Sequence, residues 1–185
     1  MAGKTNLAAY KNHNYQPGAS WLKRILWFYV SALIFKNSIF PFAGLKVFLL
    51  RIFGATIGKK VVLRHQLNIK YPWFLIVGDY TWIGEAVWID NLVLVKIGSN
   101  VCLSQGAMLL TGNHNYSKST FDLIVGEIML ADGVWIGAKA IVCPGVIADK
   151  HSILTAGSIA TQNMEANFVY QGNPAVNVRK RQIED

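Results

Sequence analysis

The chain has 185 residues, 52% of them apolar and 15% charged, with a formal net charge of +8. That balance excludes a disordered chain and bounds the protein to one or two domains. The charge is lopsided: residues 1–70 hold eleven Lys or Arg and no Asp or Glu, whereas the rest hold seven bases and ten acids, net −3.

The first twenty residues lack the apolar core of a secretory signal, which predicts a cytoplasmic protein. His13 lies in a polar run there and reads as solvated. From Trp21 to Tyr29 bases alternate with large apolar residues on a helical period, and Leu45 to Phe53 does the same. Two short helices are predicted, roughly 21–35 and 43–53. The longest uncharged run within these apolar stretches, Ile25 to Phe35, is eleven residues, against about twenty for a membrane-spanning helix. Nucleic acid is the common partner of a basic segment, but bases set among large aromatics point elsewhere. Two roles stay open for residues 20–53. They can cap the open end of a repeat structure or pack between subunits, or they can lie peripherally on the anionic inner face of a membrane.

From Ile57 a six-residue beat takes over. Aliphatic residues recur at Ile57, Leu63 and Ile69, at Val77, Ile83 and Ile89, and at Ile97, Leu103 and Leu109. The beat resumes at Leu130, Ile136 and Val142 and fades through Ala148, Leu154 and Ala160. A fixed short period of this kind predicts an all-β solenoid, a parallel β-helix of about five coils. An antiparallel sandwich would show alternation broken by turns every eight to twelve residues instead. Glycine often follows the beat residue (Gly58, Gly78, Gly84, Gly98, Gly137), which predicts corner turns of positive φ. The expected organisation is an N-terminal basic and aromatic helical segment over 1–56, a β-helix over 57–165, and a C-terminal tail over 166–185.

Grouped in threes, the beats make eighteen-residue units. Two extra residues intrude after the first unit, two after the second, and fifteen, Asn115 to Met129, after the third. All three insertions fall at unit boundaries, so a triangular coil places them at one corner, the arrangement expected of a binding edge. His114 closes the third unit at the mouth of the loop 115–129. Imidazole is the usual general base near neutral pH, and a loop histidine without a role is the alternative. Cys102 and Cys143 lie in coils without a paired motif and read as structural thiols of a reducing compartment.

The segment Leu110-Thr111-Gly112-Asn113-His114-Asn115-Tyr116, with Val134-Trp135-Ile136-Gly137-Ala138 and Pro144-Gly145-Val146, resembles the hexapeptide-repeat acyltransferases. Thr155 to Thr161 and Gln171-Gly172-Asn173-Pro174-Ala175 are similar to that family's closing motif. The stretches Leu45 to Ala55 and Asn68 to Trp73 narrow the likeness to its WcaF-like branch, the colanic acid biosynthesis acetyltransferases. The likeness runs from about residue 10 to 181. It implies a left-handed β-helix, against the general rule for parallel crossovers, assembled as a homotrimer with an active site at each subunit junction. It implies acetyl-CoA as co-substrate, no metal, and direct transfer to a hydroxyl with His114 as general base. By the same resemblance Trp135, Ala138, Ala156 and Thr161 line the pantetheine, and Arg179 approaches the nucleotide phosphates. Gln162 stands where the family often has Lys, with Lys180 and Arg181 as possible replacements. Asp90 and Asn91 match positions near the acceptor, and Asn115 departs from the Asp common beside the catalytic histidine; Asn113 is a further acceptor candidate, and Tyr116, Phe121 and Asp122 of the insertion read as walls for a sugar ring.

The reading is therefore an acetyl-CoA-dependent O-acetyltransferase acting on a sugar or glycan precursor. Two alternatives stand beside it: an acetyltransferase for another small acceptor such as an antibiotic or serine, and a non-catalytic β-helix scaffold at a membrane surface. A zinc enzyme on this fold would need three converging histidines, and His65, His114 and His151 occupy different offsets in their units.

Overall fold

A computed structural model describes residues 3–12 and 15–184, so His13 lies outside the described residues. The repeat forms a triangular parallel solenoid. Face one stacks Thr56–Ile57, Leu75–Val77, Val95–Ile97, Ile128–Leu130 and Ile147–Ala148. Face two stacks Val62–Leu63, Trp82–Ile83, Cys102–Leu103, Trp135–Ile136 and Ile153–Leu154, and face three Asn68–Ile69, Trp88–Asp90, Met108–Leu110, Ile141–Val142 and Ile159–Ala160. Beat residues pair coil to coil, Ile57 with Val77, Val77 with Ile97, Ile97 with Leu130 and Leu130 with Ala148. They point inward as one buried column, because alternate residues of a strand face opposite sides. Five coils are complete. Part of a sixth follows, in which Met164 bridges to Ala148 and Phe168–Gly172 stacks on face two, closed by an antiparallel return through Ala175–Lys180.

The corner glycines correct the sequence expectation. Gly58, Gly78, Gly84, Gly98 and Gly137 do not take positive φ. They allow coils to approach: a Cβ on Gly137 would lie 2.5 Å from the Ala156 nitrogen and 2.7 Å from the Thr155 carbonyl carbon. The left-handed residue stands two places later, three after most beat residues, and is Lys60, Gln66, Tyr80, Ala86, Asn100, Lys139 or His151 as readily as Gly106 or Gly157. Backbone bonds between stacked corners, Tyr80 N–H to the Lys59 carbonyl and Asn100 N–H to that of Asp79, offset a conformation that disfavours side chains.

The N-terminal helices close the first coil. Helix α1 (Trp21–Val30) starts where the Ser20 hydroxyl accepts the Lys23 N–H and runs on as a π turn, Ser31–Phe35; helix α2 is Ala43–Ile52. Trp27 is buried with its indole N–H donating to the Ile69 carbonyl at 3.0 Å, and Phe35 and Leu50 are wholly enclosed. Lys46 is enclosed with them, its Nζ 2.9 Å from the Arg64 carbonyl, and burial pulls its pKa down. Among the described residues no helix is long and apolar enough to cross a membrane.

The extra residues do share one corner, where face three passes to face one. Side chains stitch it vertically. Asn91 accepts the Tyr71 N–H and donates to the Tyr71 carbonyl, at 3.0 and 2.6 Å. One coil on, the Thr111 hydroxyl accepts the Leu92 N–H and donates to the Asp90 carbonyl, both at 2.8 Å. From this fixed corner the long insertion rises as a hairpin, Gly112–His114 paired with Leu123–Val125.

Candidate active site

His114 ends the ascending hairpin strand, opposite Leu123. Its Nδ1 lies 2.8 Å from the Phe121 carbonyl. A carbonyl can only accept, so Nδ1 carries the proton and Nε2 presents a lone pair. The Phe121 ring also stacks on the imidazole, centroids 4.5 Å apart and planes 10° from parallel, while Tyr10 meets it edge-on at 6.1 Å. Phe121 does this from a left-handed backbone, φ +52°, a conformation costing about 1–3 kcal/mol and found mainly where surrounding structure imposes it. Asn113 Oδ1 accepts the His114 N–H at 2.8 Å. Asn115 turns away, accepting the Ser117 N–H at 3.1 Å; it is the Phe121 carbonyl that orients the imidazole.

A second feature lies at the corner between faces two and three, a cavity of about 400 Å³. Ser104, Gln105, Trp135, Ala138, Thr155 and Ala156 line it, stacked from three successive coils. The indole N–H of Trp135 donates to the Ser104 hydroxyl at 2.9 Å, which fixes the ring as a wall. The small residues Gly137, Ala138 and Ala156 leave the floor nearly bare backbone. A long, thin ligand with amide groups suits such a floor.

Comparison with known proteins gives these features a context. No protein-family model matches the chain. WcaF of Escherichia coli (strain K12), provisionally named a colanic acid biosynthesis acetyltransferase, is 37% identical over 164 residues, covering 89% of this chain and 90% of WcaF. The chain belongs to the WcaF-like hexapeptide-repeat acetyltransferases. The galactoside O-acetyltransferase of E. coli is 26% identical over 129 residues, covering 68% of this chain and 64% of that protein. Among solved structures, the hexapeptide-repeat acetyltransferase VCA0836 of Vibrio cholerae, complexed with acetyl-coenzyme A, superposes with a TM-score of 0.82 at 19% identity, covering 95% and 97% of the two chains. Galactoside acetyltransferase in complex with coenzyme A gives 0.76 at 21%, covering 87% and 82%. The shared fold is the left-handed parallel β-helix.

Within this WcaF-like chain the residues singled out from sequence separate into groups. Trp135, Ala138 and Ala156 converge in the cavity. Thr161, at the end of face three, and Arg179, on the closing hairpin opposite Val169, are exposed and line none of it. Arg181 is committed to the fold, its guanidinium donating to the Gly133 and His151 carbonyls at 3.0 and 3.2 Å. Lys180 lies over the Phe168 ring. Tyr116 and Asn113 flank His114 and are exposed. Asp90 holds Lys70 at 2.9 Å. Asn91 is fully enclosed and both ends of its amide are taken by Tyr71, so it serves the corner and is closed to an acceptor. The Phe121 carbonyl and Ser104 went unseen in the sequence. A backbone acceptor has no residue signature, but Ser104 was within reach, since it stands directly beneath Gly137 in the repeat.

Burial raises the thiol pKa of both Cys102 and Cys143, a Ser104 hydrogen bond only partly opposing it at Cys102, so neither is an activated nucleophile. Among the described residues no three His, Cys, Asp or Glu side chains are grouped to hold a metal ion. His65 is paired with Glu85 at 3.0 Å.

Proposed function

We propose that this protein transfers an acetyl group from acetyl-CoA to the hydroxyl of a sugar or glycan precursor, with His114 as general base. The observation that carries it is the imidazole held through Nδ1 by a carbonyl, with Nε2 left to take a proton. In this reading the acceptor oxygen attacks the thioester carbonyl as its proton passes to Nε2. The tetrahedral intermediate collapses, the C–S bond breaks, and the imidazolium returns the proton to the departing thiolate. No acyl-enzyme is needed, which agrees with the two unactivated thiols. Trp135, Ala138 and Ala156 seat the pantetheine, with Ser104 and Gln105 beside them; Thr161 and Arg179 extend that seat beyond the cavity. Asp90, Asn113 and Tyr116 contact the acceptor. Galactoside O-acetyltransferase, a relative named for a sugar acceptor, supports the sugar assignment.

One further observation bears on assembly. The hairpin of His114 and the cavity of Trp135 occupy different corners, separated by face three. A neighbouring copy that sets its hairpin against this cavity corner completes the site, and a cyclic trimer does so three times. Exposed Trp82 and Trp88 on the two adjoining faces supply apolar area for that contact. Free-thiol release from acetyl-CoA, measured against a panel of sugars, nucleotide sugars, serine and chloramphenicol, tests the function. Saccharide-dependent release abolished in His114→Ala supports it; release with serine or chloramphenicol alone, or none with any acceptor, rejects it. Sedimentation velocity tests the trimer.

A further inference from the structure

Helix α1 is inverted relative to an ordinary surface helix. Its bases Lys23 and Arg24 are partly buried against the solenoid, Lys23 lying 5.2 Å from the Trp73 ring centre. Its outward side is apolar without interruption: Trp21, Leu22, Ile25, Leu26, Phe28 and Tyr29 are all exposed, Trp21 by 65% and Phe28 by 63%. Leu33, Ile39 and Phe42 and, on α2, Leu45, Phe48 and Ile52 are exposed as well, twelve large exposed apolar side chains between residues 21 and 52. Isolated apolar side chains on a surface are ordinary, but so many within one short segment mark an interaction face.

Around it stand exposed bases, and the acid beside it, Asp90, which shares a cavity with Phe28 and Lys36, is paired with Lys70. Lys36 follows the π turn, Arg51 ends α2, and Lys60 and Arg64 stand on the first coil, against which α2 packs. The first acid in the chain is Asp79, and it lies against Lys59. We infer that residues 21–52 form a membrane-docking face that lays α1 and α2 into the interfacial layer of a bilayer rich in anionic lipid. Trp and Tyr at such a depth present an apolar ring to the acyl chains and a polar edge to the headgroups. The cationic rim meets lipid phosphates, and the absence of carboxylates from the first 70 residues limits opposing repulsion from this segment.

A second copy of the chain fits the face less well. Copies meeting by this same segment would oppose two cationic rims. Copies closing a ring about an axis along the solenoid meet through the side faces, a contact bordered by the cap where Phe28 shares a cavity with Trp88 of face three. That geometry also puts every cap at one end of the ring, where several faces reach one flat surface together.

The test uses full-length protein and co-sedimentation with vesicles of phosphatidylcholine, alone or with one third phosphatidylglycerol. Binding at least tenfold tighter to the anionic vesicles at low salt, and falling steeply by 0.5 M salt, is expected. The variant Trp21→Gln/Leu22→Gln/Phe48→Gln, altered only at exposed positions, should lose at least tenfold of that binding while its melting temperature, sedimentation coefficient and thiol release stay at parent values. Lys36→Gln/Lys60→Gln/Arg64→Gln should erase only the anionic preference. Absence of binding at low salt, equal binding by the apolar variant, or a change of its oligomeric state overturns the inference; the last would make the face a subunit contact. Thiol release is read separately, so failure here leaves the acetyl-transfer proposal standing.

Discussion

Replacing His114 by alanine removes the Nε2 lone pair, the group proposed to take the acceptor proton. General-base assistance contributes about 10²- to 10⁴-fold, or roughly 3–5 kcal/mol of barrier at 1.36 kcal/mol per decade. The fold should lose little. His114 belongs to a hairpin outside the buried column, and its side chain is tied by two ring contacts, to Phe121 and Tyr10, and one hydrogen bond to the Phe121 carbonyl. Those contribute about 0.5–1.5 kcal/mol for each ring contact and about 1 kcal/mol for the hydrogen bond, a small fraction of what the solenoid core supplies. The expected variant therefore melts within a few degrees of the parent and turns over at least a hundredfold more slowly at saturating acetyl-CoA. Phe121→Ala refines the test. It keeps the carbonyl that fixes the tautomer and removes the ring that holds the imidazole plane, so a loss of about tenfold in kcat with acetyl-CoA KM unchanged is expected. Steady-state thiol release reads both. Turnover of His114→Ala within threefold of the parent, with circular dichroism unchanged, would refute the reasoning.

Gly137→Ala forces a methyl to 2.5 Å from backbone of the next coil; overpacking of this kind costs about 1–3 kcal/mol. A lower melting temperature together with a higher acetyl-CoA KM is expected, and a parent-like melt would show that the coils can spread. Asn91→Ala leaves the Tyr71 N–H without its partner, while the Tyr71 carbonyl keeps the Phe74 N–H, at about 1–3 kcal/mol for the unpaired donor. Denaturant unfolding should show that loss with acceptor KM nearly unchanged, whereas a raised KM at parent stability would return Asn91 to the acceptor site. Lys46→Met bears on pH. Burial lowers the folded pKa of Lys46, so between that value and its unfolded value the unfolded chain holds the extra proton and stability rises with pH. The parent carries the cost of the buried charge below this window and loses it above. Its stability relative to Lys46→Met should therefore climb from pH 7 to pH 10.5 in urea titrations, and parallel curves would exclude a buried ammonium.

The six-residue beat determined the solenoid, because an inward aliphatic at every sixth residue, one to a strand, leaves a parallel β-helix little freedom in register. It also put all three insertions on one corner and His114 at the base of the longest. Local chemistry at the corners was misread. Gly58 and Gly137 looked like turn residues, but a glycine that relieves contact with the next coil and one that adopts positive φ are the same letter in sequence; only the stacking of Gly137 on Ala156 tells them apart. Asn91 looked like an acceptor contact, and the tertiary fold spent its amide on Tyr71, twenty residues away. The imidazole's tautomer was beyond sequence altogether, since its partner is a backbone carbonyl across a hairpin. The outward aromatics of α1 divide in the same way. Their spacing was visible in the chain, but which side of the helix meets the solenoid was decided by Trp27, Phe35 and Leu50 filling the end of the core, and that packing left the bases inward and the apolar side exposed.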